Sequence, residues 1–252
     1  MANSIRRPDI LKMARQHGKV TVEGLAQHFD VTLQTIRRDL NELCDSGELD
    51  RVHGGAILPS STANIRYEDR QGINLAGKQA IASLCAEHIP NDVSLFLNIG
   101  TSTEAVARAL CDHQNLLVVT NNLNVAAILQ HHPSAEVILT GGHLRKTDGG
   151  LIGQPAIETI RKFKFDLAVI GCSALDLDGD MLDFDMQEIA VSQAILNQSR
   201  KTYLVADHSK FERKAPVKIA SLRDIDTFFT DAALTTELSA DCKHWNTTIK
   251  TI

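Results

Sequence analysis

Two sets of polar residues in this 252-residue chain are spaced so that they could do chemistry. The first runs along positions 98–210. Gly100-Thr101-Ser102-Thr103 follows a short apolar run and precedes a helical pattern starting at Glu104. Glycine lets backbone N–H groups approach an anion, the hydroxyls add donors, and the helix turns its positive end to the same point. The loop lacks the spacing and lysine of a nucleotide P-loop, so a small phosphorylated sugar suits it better than a nucleotide. A plain strand-to-helix turn with a threonine cap would read the same way. Asn98 stands just before the loop, and Asn121-Asn122, Gly141-Gly142 and Gly171 fall at later breaks of the same kind. The asparagines can bond sugar hydroxyls or simply stabilise turns. Arg145 is the nearest positive charge to the paired glycines, and Asp207-His208-Ser209-Lys210 offers an ammonium as a second phosphate contact. Positions 175–185 are rich in aspartate and Glu188 follows, a set that could move protons or hold a divalent cation.

The second set lies near the N-terminus. Thr32 is placed to cap a helix whose Ile36, Leu40 and Leu43 make one apolar stripe. Gln34, Arg38 and Asn41 occupy the opposite face, flanked by Thr35 and Arg37. Arginine can chelate guanine or clamp phosphate and glutamine suits adenine, so this face can read a major groove. An ordinary solvated helix would carry the same pattern.

Elements that would hold these residues follow from periodicity. A helix opened by Pro8 and stopped by Gly18, then one capped by Thr21 with Val22, Leu25, Ala26 and Phe29 inward, precede the reading helix across a short turn. That arrangement is a helix-turn-helix over about 20–39. Positions 49–53 and 56–58 then form a hairpin about Gly54-Gly55, a wing carrying Arg51 and His53. Arg6 and Arg7 are expected to join Arg37, Arg38 and Arg51 on one side. Residues 59–77 read as a linker, with the dense charge of 66–70 solvated. From 78 onward, apolar runs at 93–99, 116–120, 136–140, 166–170, 202–206 and 227–230 alternate with helical patterns. That grammar predicts an open α/β fold with a mostly parallel sheet, and ligands at its strands' carboxyl ends. The predicted division is therefore 1–58, a winged helix-turn-helix; 59–77, a linker; and 78–252, an effector domain.

Composition narrows the class. Hydrophobic residues make up 43% and charged residues 23%, enough for a sizeable core, and no run of about 18 apolar residues or signal-peptide core is present. Five scattered cysteines without a C-x-x-C pair argue for reduced thiols and against structural zinc. A cytoplasmic chain with no membrane partner, metal or cofactor is expected. Residues 1–58 hold eight Lys/Arg and eight Asp/Glu, so the net charge of −5 falls on the remainder. A neutral head needs local arrangement, and two copies, to hold DNA usefully.

Thr35-Ile36-Arg37-Arg38-Asp39-Leu40 followed by Arg51-Val52-His53-Gly54-Gly55-Ala56 resembles the signature of the DeoR family of bacterial transcription regulators. The resemblance implies a homo-oligomeric repressor, dimer or tetramer, bound to double-stranded operator DNA and released by a phosphorylated sugar. Thr120-Asn121-Asn122-Leu123-Asn124-Val125-Ala126 and Asp207-His208-Ser209-Lys210-Phe211 resemble the family's glycerol-catabolism branch, which implies glycerol 3-phosphate as inducer. The larger domain resembles the pentose-phosphate isomerase and coenzyme A transferase type of fold. Such isomerases carry a lysine in a glycine-rich segment before the glutamate that Glu188 matches, and 181–187 hold no lysine or glycine. A sensor without the chemistry is therefore expected, with an isomerase bearing an accessory head as the alternative. Three departures stand out: Asn98 where the family usually has Asp, Ser102 where it usually has Thr, and Val191-Ser192-Gln193 where basic residues are common.

Overall fold

The computed structural model describes residues 3–17, 19–60 and 62–252. Gly18, the expected stop of the first helix, and Ser61 of the linker lie outside the described residues. Two compact units emerge: Met1–Ser61 with Ile65–Ile73, and Thr62–Asn64 with Asn74–Ile252.

In the first unit, α1 (Asn3–His17) is followed by β1 (Lys19–Thr21), α2 (Val22–Phe29), α3 (Leu33–Asp45), β2 (Asp50–Val52), β3 (Gly55–Ile57) and α4 (Tyr67–Gly72). Thr21 and Thr32 cap α2 and α3, accepting from the N–H groups of Gly24 and Thr35. Ile10, Ala14, Leu25, Ile36, Leu40 and Leu43 close one core. The hairpin turns at His53 and Gly54, where Gly54 has φ 72°, whereas Gly55 lies within β3 rather than in the turn as expected. Its reason is steric. A Cβ at Gly55 would stand 1.9 Å from the Val20 carbonyl oxygen, because β1 pairs with β3 there. The wing is thus a three-stranded sheet, ordered β1-β3-β2, and β1 was not foreseen. Nor was α4, which packs on β2 and buries Asp69 beside Lys19.

The second unit runs α5 (Leu75–Ala86), β4 (Ser94–Leu97), α6 (Thr101–Ala109), β5 (Leu117–Thr120), α7 (Leu123–Leu129), β6 (Glu136–Leu139), β7 (His143–Arg145), β8 (Gly150–Ile152), α8 (Gln154–Ile160), β9 (Leu167–Ile170), β10 (Ala174–Leu175), β11 (Asp180–Asp183), α9 (Met186–Asn197), β12 (Thr202–Val205), β13 (Val217–Ser221), β14 (Thr227–Thr230), α10 (Thr236–His244) and β15 (Thr248–Thr251). A seven-stranded, wholly parallel sheet has the order β15-β14-β12-β9-β4-β5-β6. Both of its faces are covered, one by the cluster around Phe96, Phe165 and Phe228, the other by that around Leu95, Val118 and Phe229. The chain leaves β4 for β5 and β6 on one side, then returns to β9 and continues outward on the other. That reversal opens a crevice beyond the carboxyl ends of β4 and β9, where open α/β sheets bind ligands. Smaller antiparallel pieces, β10-β11-β13 and β7-β8, border the main sheet's connections.

Gly55→Ala should cost the first unit about 2 kcal/mol or more through overpacking. Amide hydrogen exchange would show faster exchange at Thr21 and Ile57 with the second unit unchanged; intact protection there would refute the β1–β3 constraint.

Candidate functional site

On the first unit, α3 points Ile36, Asp39, Leu40 and Leu43 inward and leaves Gln34, Arg37, Arg38 and Asn41 exposed. Thr35 is half-buried, its hydroxyl 2.9 Å from that of Thr32. Arg51 and His53 are exposed on the wing, and His53 lies against Gly72 of α4. Arg6 and Arg7 depart from expectation. Arg6 Nε donates to buried Asp39 at 2.8 Å, and Arg7 pairs with Glu42. Glu42 also accepts from Arg38 Nε at 3.1 Å, one helical turn away. Asp39 and Glu42 are thereby tied to cations, while the outer face keeps arginines and amides toward the start of α3 and the exposed Asp45 at its end.

On the second unit, α6 begins at Thr101, so the expected loop residues form the helix's first turn. Gly100 has φ 129° and leaves that turn without a side-chain cap. Thr101 and Ser102 are partly exposed, but Thr103 is buried and its hydroxyl donates to the carbonyls of Asn98 and Gly100 at 2.7 and 2.8 Å. Thr103 therefore shapes the loop and has no hydroxyl to offer a ligand. Asn98 is likewise engaged, accepting from Ile99 N and donating to Ser192 Oγ at 2.9 Å. Asn98 and Ser192 thus meet as a neutral pair.

Asn122 caps α7 and donates to buried Glu104. Asn121 is different: its amide donates to the Leu151 carbonyl, while its Oδ1 is buried without a partner. Thr140 Oγ1, Asp207 Oδ2 and Thr230 Oγ1 are buried and unpartnered as well. These atoms sit at the carboxyl ends of β5, β6, β12 and β14. Buried polar atoms are seldom left unmatched, so Asn121 and Thr140 on the neighbouring ends of β5 and β6 are candidates to meet a polar occupant. Gly141 and Gly142 end β6; a Cβ at Gly142 would come within 2.7 Å of the Ile152 carbonyl. Gly171 follows β9, close to the Val205 carbonyl.

The charges are distributed otherwise than expected. Arg145 is not an open cation: it bonds Asp148 at 2.6 Å, Asp185 at 2.9 Å and Glu188 at 2.7 Å. Burial weakens its hold on the proton, but Glu188 and Asp148 more than restore it. Glu188 itself is pushed up to about 8 by burial and by Asp183, against the pull of Arg145. Lys210 is the reverse case. It is buried, and its ammonium makes no hydrogen bond or ion pair among the described residues. Burial, with Arg213 and Lys78 nearby, lowers it to about 7 against the help of Asp207. The Cys172 thiol beside it is pushed up to about 12 by burial. Lys78 and Arg213 were missed by sequence reasoning. The signal for Lys78 was present, since it stands on the same stripe as Ile81, Ala82 and Cys85, where a lysine is out of place. Arg213 had none. Among the described residues no three His, Cys, Asp or Glu side chains converge as metal ligands, and no helix is long and apolar enough to cross a membrane.

Three cations thus gather where β9 and β12 end, and Asp231, after β14, fixes the start of α5 there through Asn74 at 2.6 Å and His208 at 2.8 Å. Such a cluster can hold a multiply charged anion, and the unmatched polar atoms nearby can meet hydroxyls.

Comparison with known proteins agrees with both halves. Residues 6–62 match the DeoR-like helix-turn-helix domain and residues 73–232 the DeoR C terminal sensor domain. The chain is 46% identical over 232 residues to the glycerol-3-phosphate regulon repressor of Escherichia coli, covering 92% of each. It is 46% identical over 230 residues to the repressor of that name from Haemophilus influenzae, covering 91% of this chain and 90% of the other. Among solved structures, ribose 5 phosphate isomerase A from Neisseria gonorrhoeae matches at 13% identity and a TM-score of 0.40, over 53% of this chain and 52% of that one, too slight a likeness to bear on function. With both of its units matched and relatives of this identity along nearly its whole length, the chain belongs to the DeoR family.

Proposed function

We propose that this chain is a DNA-binding transcriptional repressor of sugar or glycerol catabolism genes, released from its operator by a phosphorylated small molecule. One observation carries the reading: a winged helix with an exposed Gln34, Arg37, Arg38 and Asn41 face is joined to a sensor in which Lys78 and Lys210 are buried with Arg213 nearby. The relatives' names support it. Gln34, Thr35, Arg37, Arg38 and Asn41 contact the major groove, and Arg51 and His53 the flanking backbone or minor groove. Paired heads of a homo-oligomer span two half-sites, which offsets the neutrality of each.

In the sensor, Lys210, Lys78 and Arg213 hold the phosphate with the backbone N–H groups of Gly100, Thr101 and Ser102 at the start of α6. Asn121, near Gly141 and Gly142, meets the hydroxyls. Asn98, Asn122, Thr103 and Gly171 build the crevice, and Arg145 orders the carboxylates on its far wall. Glycerol 3-phosphate is the inducer that the relatives' names favour. It can release DNA only by binding the released conformation better than the DNA-bound one. Proton transfer has no lysine between β11 and Glu188, and Glu188 is held by Arg145. The chain is not an enzyme on this reading.

Arg38→Ala should weaken operator binding by about 1–3 kcal/mol and flatten its salt dependence, with phosphate binding untouched. Gel shifts against a salt series measure this, and unchanged DNA affinity would overturn the reading helix.

Lys210→Met should abolish phosphate binding yet raise stability at pH 7 by about 1–4 kcal/mol, the range for replacing buried charge with apolar volume. The sign follows from proton binding. A lysine lowered to about 7 in the fold and titrating at 10.5 when free binds more protons unfolded, so stability rises with pH across that window. Urea unfolding of the variant should lack that rise. In the unaltered protein, a phosphate dianion restores the charge of Lys210, so binding takes up a proton and weakens as pH climbs above about 7. Calorimetric enthalpies that do not vary with the buffer's ionisation heat would contradict this.

A further inference from the structure

Residues 62–64 lie between two stretches of the first unit yet belong to the second. The chain therefore passes between the units at 61/62, 64/65 and 73/74. Asn64 ties the short strap down. Its Nδ2 donates to Ser173 Oγ at 2.9 Å, and its Oδ1 accepts from Arg213 Nη2 at 2.7 Å. Ser173 follows β9 and in turn donates to buried Asp183 at 2.9 Å. Arg213 is one of the cations around Lys210 and Cys172. A linker side chain thus occupies, with a neutral carbonyl oxygen, a guanidinium edge of the cation cluster.

We propose that Asn64 is a ligand-displaced latch, which gives up Arg213 when a phosphorylated inducer enters and so frees the strap 62–64. The inference rests on the phosphate-site reading above. A phosphate oxygen accepts a hydrogen bond from guanidinium more strongly than an amide oxygen does, because the bond is charged on both sides. The inducer therefore wins Arg213, and Asn64 loses one of its anchors. With the strap loosened, the crossing at 73/74 remains, where Asn74 is fixed to Asp231 at 2.6 Å. The first unit is then tethered through α4 and Ile73 rather than also through the chain leaving β3. Linker release of this kind converts ligand affinity into altered spacing between DNA-binding heads, since the ligand favours the unlatched state by the strength of the bond it replaces.

The full-length protein and two variants, Asn64→Ala and Asn64→Asp, test the latch with inorganic phosphate and glycerol 3-phosphate as probes. Calorimetry gives affinity, and amide exchange over 62–66 gives the state of the strap. Asn64→Ala removes the competitor, so binding should tighten by about tenfold, the size of one hydrogen bond to a charged group. Its strap should exchange quickly with or without probe. Asn64→Asp strengthens the hold on Arg213, so binding should weaken by a similar factor, and strap exchange should respond only at higher probe concentration. In the unaltered protein, saturating probe should speed exchange at 62–66. If the unaltered protein binds phosphate but both variants match it in affinity and exchange, the latch is wrong and the site stands. If the unaltered protein binds neither probe, the site and the latch fall together.

Discussion

A lysine buried beside other cations is the constraint from which the sensor's organisation follows. Lys210 lies beyond β12 with Lys78 and Arg213 close by, and the Asp207 carboxylate, which favours its charge, is occupied on one oxygen by Ser209. Burial of this kind costs stability that a well-packed apolar side chain would not. The fold tolerates it because the rest of the unit supplies the compensation: a two-faced parallel sheet with extensive apolar cover, and a crossover pattern that leaves the strand ends free. Arg145 shows the contrast within the same unit, since three carboxylates already satisfy it. The crevice is thus divided by charge, with cations over β9 and β12 and a balanced acid cluster by β8 and α9.

The first unit solves an opposite problem. Equal numbers of acids and bases offer DNA no net attraction. Asp39 is drawn inside by Arg6, and Glu42 is shared by Arg7 and Arg38. What remains outward along the first three turns of α3 is chiefly arginine and amide side chains, with Asp45 exposed at its end. The same pairings brace α1 against α3, so the groups that neutralise unwanted charge also fix the angle of the reading helix. Arg38 is held in place by an exposed i,i+4 pair worth only a few tenths of a kcal/mol, weak enough to be exchanged for a phosphate.

Much of this could be read along the chain, and the exceptions have physical causes. Alternation of apolar runs with helical patterns gave the parallel sheet, and the caps Thr21 and Thr32 gave α2 and α3, because both signals are local. β1 is a three-residue strand whose existence depends on Gly55 accepting the Val20 carbonyl, a contact 35 residues apart in sequence that no period announces. The charge-dense stretch at 66–70 reads as solvated, yet Asp69 is buried beside Lys19, fifty residues away. Lys78 was legible as a lysine on an apolar stripe; Arg213 and Asn64 were not, since nothing local distinguishes them from surface residues. Thr103 and Asn98 had the right chemistry for ligands, but chemistry alone does not say which way a side chain turns.

That last point bears on which phosphorylated molecule the sensor answers. On the proposed reading the cation cluster takes the phosphate, which every sugar phosphate carries, so discrimination must arise elsewhere along the strand ends. A hydrogen-bonding site discriminates most when an imperfect ligand leaves its buried groups unpaired. Asn121 Oδ1 and Thr140 Oγ1 are the buried groups with that property at the ends of β5 and β6, on the opposite side of β4 from Lys210. Between them, at the end of β4, lies the neutral Asn98–Ser192 pair, at the two positions that depart from the family's usual charges. The phosphate anchor and the selecting groups therefore occupy different strands. On that reading a chain can keep its anchor while the pairing behind β4 changes, so the anchor selects a class of inducer and the β4–β6 side the member of that class.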